Sequence, residues 1–131
     1  MPSKPAEPIT DKPLTDKQRI GQAAEDAAAL MLQQQGLELI ARNFSCKSGE
    51  IDLIFKDQEH LVFVEVRFRK NNLFGGAAAS VTLAKQQKLQ RAASYYLNRW
   101  QPPPACRFDV LAMTLDTNKQ IICENWIKNA F

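Results

Sequence analysis

Two long stretches of the chain repeat apolar residues at helical spacing, and five shorter stretches are either apolar throughout or alternate as strands do. The first helix is predicted to begin after Thr15, which suits an N-cap, and to end at Gln35, because Gly36 is a common helix stop. Four residues at helical spacing are expected to form its buried stripe: Ile20, Ala24, Ala27 and Met31.

The second helix is predicted from Ser80 to Trp100, and the three prolines that follow at once prevent its continuation. Its buried stripe is expected to consist of Leu89, Ala92, Ala93, Tyr96 and Trp100. Lys85 lies one turn before Leu89 on the same row. We therefore expect its side chain to point inward near the start of the helix.

Strands are predicted at residues 37–44, 50–56, 61–69, 107–113 and 120–124, with a short terminal turn from Trp126 onward. The third strand is apolar on both faces as far as Glu65, which is typical of the centre of a sheet. Because strand side chains alternate, Glu65, Arg67 and Arg69 share one face. The order α-β-β-β-α-β-β predicts an α/β fold, with a mixed β-sheet flanked by helices.

The chain of 131 residues is long enough for one domain, which we place at residues 14–131. Residues 1–13 are rich in proline and polar residues, and are expected to be a disordered tail. Residues 71–79 contain Gly75 and Gly76 and are expected to form a mobile loop. The loop either closes over a substrate or serves as a plain connector.

The three cysteines form no closely spaced pair, which favours reduced thiols in a cytoplasmic protein over a zinc site or a disulfide framework. No apolar run is long enough for a membrane span, and the N-terminus does not resemble a signal peptide.

Charge is distributed unevenly, although the net charge is only +3. No acidic residue occurs between Glu65 and Asp109, whereas this interval contains eight basic ones: Arg67, Arg69, Lys70, Lys85, Lys88, Arg91, Arg99 and Arg107. A block of one sign suits a polyanion such as nucleic acid, but it also fits a solvated basic surface. The candidate nucleic-acid contacts are Arg69, Lys70, Lys85, Lys88 and Arg91, which would recognise the shape of the backbone more than its sequence.

Two carboxylates interrupt apolar strands that are predicted to pair as a hairpin, namely Asp52 and Glu65. Buried carboxylates are costly unless they are paired or bound to a metal, and a divalent cation such as Mg²⁺ or Mn²⁺ relieves the repulsion between two of them. The alternative is a structural role, in which these acids form salt bridges with Arg67, Arg69 or Lys85.

The sequence resembles the YraN family of bacterial proteins over roughly residues 15–131. The resemblance rests on Gly21 and Glu25 near the start and on four further segments: Gly49-Glu50-Ile51-Asp52-Leu53-Ile54, Phe63-Val64-Glu65-Val66-Arg67-Phe68-Arg69, Gly75-Gly76-Ala77-Ala78-Ala79-Ser80-Val81-Thr82 with Lys85 and Lys88, and Arg107-Phe108-Asp109-Val110. The family is similar to the PD-(D/E)xK nucleases and, among these, to archaeal-type Holliday-junction resolvases. The resemblance implies a restriction-endonuclease-like fold, metal-dependent hydrolysis of phosphodiesters and a possible homodimer.

Transferred to this chain, the motif assigns metal binding and catalysis to Asp52, Glu65 and Glu25. Two positions depart from it: Arg67 stands where these nucleases usually have lysine, and Ile51 stands where they have proline. Arginine can stabilise negative charge but cannot act as a base, because it stays protonated. Lys85 offers an ammonium group in its place, unless it is a lysine whose stem merely covers the edge of the core.

Three functions remain open on these grounds. The first is a metal-dependent nuclease acting on structured DNA, either branched or single-stranded. The second is a nuclease-like domain that binds nucleic acid without cutting it. The third is a protein-interaction module that keeps the fold alone.

Overall fold

A computed structural model describes residues 13–70 and 79–131 of the chain. The predicted tail and the Gly75-Gly76 loop lie outside these ranges, apart from the last residue of each. The helices and strands follow the predicted order: α1 Asp16–Gln34, β1 Glu38–Cys46, β2 Gly49–Asp57, β3 His60–Phe68, α2 Leu83–Leu97, β4 Cys106–Leu115 and β5 Ile121–Ile127.

The five strands form one sheet in the spatial order β1-β2-β3-β4-β5. Neighbouring strands are antiparallel except for β3 and β4, which are parallel and are joined by a crossover that includes α2. The predicted mixed α/β sheet is therefore confirmed, and β3 is its central strand. One core cluster lies between the sheet and α1, and a second lies between the sheet and α2.

Helix α1 begins as predicted, because Thr15 and Gln18 form a reciprocal capping box. Of its predicted stripe, Ala24 is fully buried, Ala27 and Met31 are partly buried and pack against the core, and Ile20 is half-buried. The buried residues are Ala24, Ala28, Ala29 and Leu32. Ala28 and Leu32, on the row that also contains Glu25, are fully buried, so this side of the helix lies against the sheet together with Ala24.

Helix α2 is shorter than predicted at both ends. It begins at Leu83 because the Thr82 side chain accepts the backbone N–H of Lys85 at 3.2 Å as an N-cap, and it ends at Leu97. Four of the five predicted stripe residues are buried: Leu89, Ala92, Ala93 and Tyr96. Trp100 lies beyond the helix and is 39% exposed, so its predicted burial is wrong.

Strand β5 continues to Ile127, so the terminal turn predicted from Trp126 begins two residues later, at Lys128. The pairing of β4 with β5 shifts register, because Ala112 lies opposite Asn125 and Met113 lies opposite Cys123, so Glu124 is an extra residue in β5 that breaks simple alternation there. The fully buried Asp109 carboxylate stabilises the end of the chain, because it accepts hydrogen bonds from the side chains of Arg107 and Trp126 and from the backbone N–H of Asn129.

The three cysteines are free thiols, as predicted, and burial raises the pKa of Cys106 and Cys123. Within residues 13–70 and 79–131, neither helix combines the length and the apolar character that crossing a membrane requires.

Candidate functional site

The two motif carboxylates lie where β2 and β3 separate. The last paired residues of the two strands are Leu53 and Val64, and Asp52 and Glu65 are the next residue along each strand. Beyond the last strand pair, the backbone N–H of Val66 donates a hydrogen bond to the Asp52 carboxylate, with 2.9 Å between N and Oδ2. The fork between the strands therefore holds both acids side by side.

The environment of this pair disfavours two negative charges. Burial, followed by repulsion from the Glu65 carboxylate, raises the pKa of Asp52 from 3.8 to about 8. Glu65 itself is only 4% exposed. The uncharged form of Asp52 is therefore favoured, and a cation that replaced its proton would relieve the repulsion between two ionised carboxylates.

Two cations meet one oxygen of Glu65. Lys85 Nζ lies 3.2 Å from Oε2, and Arg67 Nη1 lies 3.3 Å from the same atom. Arg67 is held from its other side, because its Nε donates to Ser80 Oγ at 2.9 Å. The structural salt bridges considered above are thus present for Glu65. Within the described ranges, Asp52 forms no ion pair.

Lys85 contacts the carboxylate pair, whereas Arg69 does not. The Lys85 side chain points inward as predicted, and its 41% exposure shows that solvent or a substrate can still reach the ammonium group. Arg69 donates to the backbone carbonyl of Phe68 at 2.8 Å and takes no part in the Glu65 ion pairs. Lys85 is therefore the helix residue in direct contact with the carboxylate pair.

Glu25 approaches the pair from α1. Burial raises its pKa, while the Arg42 guanidinium, 3.9 Å away, acts in the opposite direction. The charge of Glu25 also contributes to the raised pKa of Asp52. The part of the chain that the structure describes contains no group of three His, Cys, Asp or Glu side chains that could hold an ion. Asp52 and Glu65 therefore form a pair of carboxylates that Glu25 influences through its charge.

The donor chemistry of this pair fits a divalent cation that keeps some of its own water. Mg²⁺ is commonly held by one or two carboxylates, with water and substrate phosphate as its other ligands. Asp52 lines a cleft of about 350 Å³, which leaves room for such ligands. The cleft lies between β2 and α2 and is lined by Gly49, Glu50, Asp52, Thr82, Ala84, Lys85, Lys88 and Leu89.

Gly49 lies against Lys88 of α2 at one wall of the cleft. A Cβ atom at this position would lie 3.5 Å from the Cβ of Lys88, an ordinary van der Waals contact, so the available space does not require glycine. The backbone does, because the φ of 154° at Gly49 is one that residues with a side chain rarely adopt.

The predicted nucleic-acid contacts fall into two groups. Lys85, Lys88 and Arg91 lie on α2, the first two of them in the cleft that contains Asp52. Arg69 and Lys70 line a second cleft, of about 680 Å³, between the end of β3 and the first turns of α1. Arg67 also lines the second cleft, so its guanidinium connects this cleft to the carboxylate pair.

The sequence interpretation overlooked an exposed aromatic ring near this site. Tyr95 and Tyr96 are adjacent on α2, so their side chains leave the helix about 100° apart. Tyr96 is buried and Tyr95 is 61% exposed. Adjacent aromatic residues on a predicted helix are the signal that would have identified the exposed ring.

The family model described as "Uncharacterised protein family UPF0102" matches residues 24–113. The chain is 55% identical over 119 residues to a UPF0102 protein of Janthinobacterium sp. (strain Marseille), covering 91% of this chain and 92% of the relative. A UPF0102 protein of Herminiimonas arsenicoxydans is 54% identical, with 91% of each chain covered. One from Cupriavidus metallidurans is 48% identical and covers 100% of this chain and 88% of its own length. None of these names states an activity.

Proposed function

The chain belongs to the UPF0102 family, the YraN family that its sequence resembles, and we propose that it is a metal-dependent nuclease that hydrolyses phosphodiester bonds in structured DNA. The observation that carries this proposal is the pair of Asp52 and Glu65 at the open fork of β2 and β3. A buried acid beside a partly buried one costs stability, and such a cost is typical of functional sites.

Asp52 and Glu65 would hold Mg²⁺ or Mn²⁺, with Glu25 approaching from α1. When bound, the ion lowers the pKa of a coordinated water and stabilises negative charge on the phosphate. Asp52 must lose its proton to act as a ligand, which makes binding of the ion dependent on pH.

Positive charge at the site comes from two side chains with different capacities. Arg67 is anchored between Glu65 and Ser80, so it supplies a fixed charge and no proton transfer. Lys85 reaches the same carboxylate from α2 and is more exposed than Arg67. Lys85 is therefore the better candidate to contact the phosphate that is cut, in the role of the motif lysine that Arg67 replaces.

A nuclease-like domain that binds nucleic acid without cutting it is the second candidate. The observation in its favour is that Arg67 and Lys85 both pair with Glu65, which balances this acid without any metal. Substitution of the acids separates the two functions. Under the nuclease proposal, Asp52→Ala abolishes cleavage and leaves DNA binding nearly intact.

A protein-interaction module is the third candidate, and the salt dependence of binding discriminates against it. Contacts with phosphates release counterions, so affinity for DNA falls steeply as salt is added. If the enzyme cuts both strands of a duplex or a junction, two sites are needed, and a homodimer would provide them.

The test is cleavage of labelled branched, flapped and linear DNA with Mg²⁺ or Mn²⁺, by the wild type and by Asp52→Ala/Glu65→Ala. A control that loses two exposed acids, Glu38→Ala/Glu59→Ala, leaves the fork untouched. Metal-dependent cutting by the wild type and the control, but not by the fork variant, supports the nuclease. Retained binding without cutting of any substrate would favour the second candidate.

A further inference from the structure

An exposed tyrosine lies on the same row of α2 as two basic residues. Lys88, Arg91 and Tyr95 follow one another at spacings of three and four residues, which places them along one side of the helix. Tyr95 is 61% exposed. A single exposed aromatic residue needs no explanation, but this one extends a row of cations.

The Tyr95 ring rests on a fixed aromatic base. It stacks on Phe44 of β1, with 6.2 Å between ring centroids and 29° between ring planes. Phe44 in turn meets the buried Tyr96 edge-on at 5.0 Å. The Arg99 guanidinium lies 4.1 Å from the centroid of the Tyr96 ring and 5.4 Å from that of Phe44. The exposed ring is therefore held in position before any ligand arrives.

The row begins at the carboxylate cleft. Lys88 lines that cleft together with Asp52, and Tyr95 lies seven residues further along α2. Seven residues correspond to about 10 Å of helix. No acidic residue occurs in α2, so positive charge is not interrupted along the row. A ligand that leaves the cleft along this side meets two cations and then an aromatic face.

We propose that Lys88, Arg91 and Tyr95 bind a single-stranded segment of nucleic acid that leads into the cleft. Lys88 and Arg91 contact its phosphates, and Tyr95 stacks on one unpaired base. Stacking needs a free face of a base, which single strands offer and which duplexes bury between neighbouring pairs. The inference rests on the proposed function and narrows its substrate to nucleic acid with an unpaired stretch beside the bond that is cut.

Binding measured in EDTA tests this inference without cleavage. A labelled oligothymidine strand and a duplex of equal length are titrated with wild type, Tyr95→Ala and Tyr95→Phe. Loss of one stacked base is expected to weaken single-strand binding about 5- to 100-fold in Tyr95→Ala. Tyr95→Phe keeps the ring and stays within about twofold of wild type, as does duplex binding by either variant.

Leu30→Ala is the matched control, because Leu30 is an exposed apolar residue on α1. It is expected to bind both ligands as the wild type does. The thermal unfolding midpoint of Tyr95→Ala, measured in parallel, is expected to lie close to that of the wild type, since the ring is mostly exposed. Wild-type affinity of Tyr95→Ala for the single strand, or an equal loss for strand and duplex, would overturn the inference.

Single-strand binding and DNA cleavage, measured on the same proteins, test the binding row and the nuclease proposal separately. If the wild type binds the single strand through Tyr95 but cuts nothing, the binding row stands and the nuclease does not. If DNA cleavage by the wild type depends on Asp52 and Glu65 while Tyr95→Ala binds and cuts normally, the nuclease proposal is supported and the proposed binding row is refuted.

Discussion

The Lys85 ammonium lies 3.2 Å from Oε2 of Glu65, so a cation from α2 meets a buried carboxylate of the central strand. Arg67 approaches the same oxygen from within β3, at 3.3 Å. Asp52, beside them, receives a backbone N–H instead of a cation. Glu65 is therefore the charge-balanced member of the pair, and Asp52 is the member whose charged form is disfavoured.

Lys85→Met is expected to lower the single-turnover cleavage rate about 100-fold, the usual cost of removing one group that stabilises transition-state charge. DNA affinity should change much less, because other cations remain along α2. Lys56→Met, at the exposed far end of β2, is the control and should cut normally. An unchanged cleavage rate in Lys85→Met would show that this ammonium group only neutralises Glu65.

Arg67→Lys is expected to keep cleavage within about tenfold of the wild type, whereas Arg67→Met should lose about 100-fold. The reason is that Arg67 supplies charge and cannot supply a base, so another cation can substitute for it. Single-turnover rates of both variants test this. Equal cleavage rates in Arg67→Met and wild type would show that Arg67 has only a structural role, such as its hydrogen bond to Ser80.

Asp52→Asn is expected to unfold at a higher temperature than the wild type at pH 8 without metal. Burial and repulsion from Glu65 place the folded pKa of Asp52 at about 8, against an ordinary value of 3.8. The folded state thus binds the proton more tightly, so wild-type stability declines as pH rises from about 4 to about 8. The amide does not ionise, and it avoids this loss.

Thermal unfolding of both proteins across this pH range measures the effect. A difference of about 3 °C or more, near 1 kcal/mol for a domain of this size, is expected at pH 8 and should vanish below the ordinary pKa of the carboxyl. Mg²⁺ should raise the unfolding temperature of the wild type more than that of Asp52→Asn. Parallel stability curves at all pH values would contradict the buried, repelling pair.

Arg69→Ala/Lys70→Ala is expected to make single-strand binding less sensitive to salt. Each phosphate contact on a single strand contributes about 0.7 to the slope of log affinity against log salt, so loss of two contacts should reduce the slope by about 1.4. Lys119→Asn is the control, because it removes one charge from the β4–β5 turn and asparagine tolerates the positive φ of 61° there. Unchanged slopes would exclude the cleft beside α1 from the DNA path.

The predictions that rested on strong local patterns were confirmed. Unbroken apolar character placed β3 in the centre of the sheet, where Val62 and Val64 are fully buried in the core cluster on the α1 side. The Thr15 capping box fixed the start of α1. These features depend on neighbours in sequence, which is why the sequence alone sufficed.

The errors arose where distant contacts decide the outcome. The burial of each α1 residue depends on how closely the helix approaches the sheet, and the full length of β5 depends on its pairing with β4, which extends to Ile127 opposite Val110. The site likewise combines features that follow from local sequence with features that depend on distant contacts. Proximity of Asp52 and Glu65 followed from the predicted hairpin, but the sharing of one Glu65 oxygen by Arg67 and Lys85 required the crossover of α2.

The measurement that tests the central claim most directly is single-turnover cleavage of a labelled, partly single-stranded DNA by wild type and Glu65→Gln at matched saturation. We predict cutting by the wild type with Mg²⁺ or Mn²⁺, none with EDTA, and a rate at least about 100-fold lower in Glu65→Gln with affinity retained. Equal rates for the two proteins, or cutting that persists in EDTA, would contradict a metal-dependent nuclease built on Asp52 and Glu65.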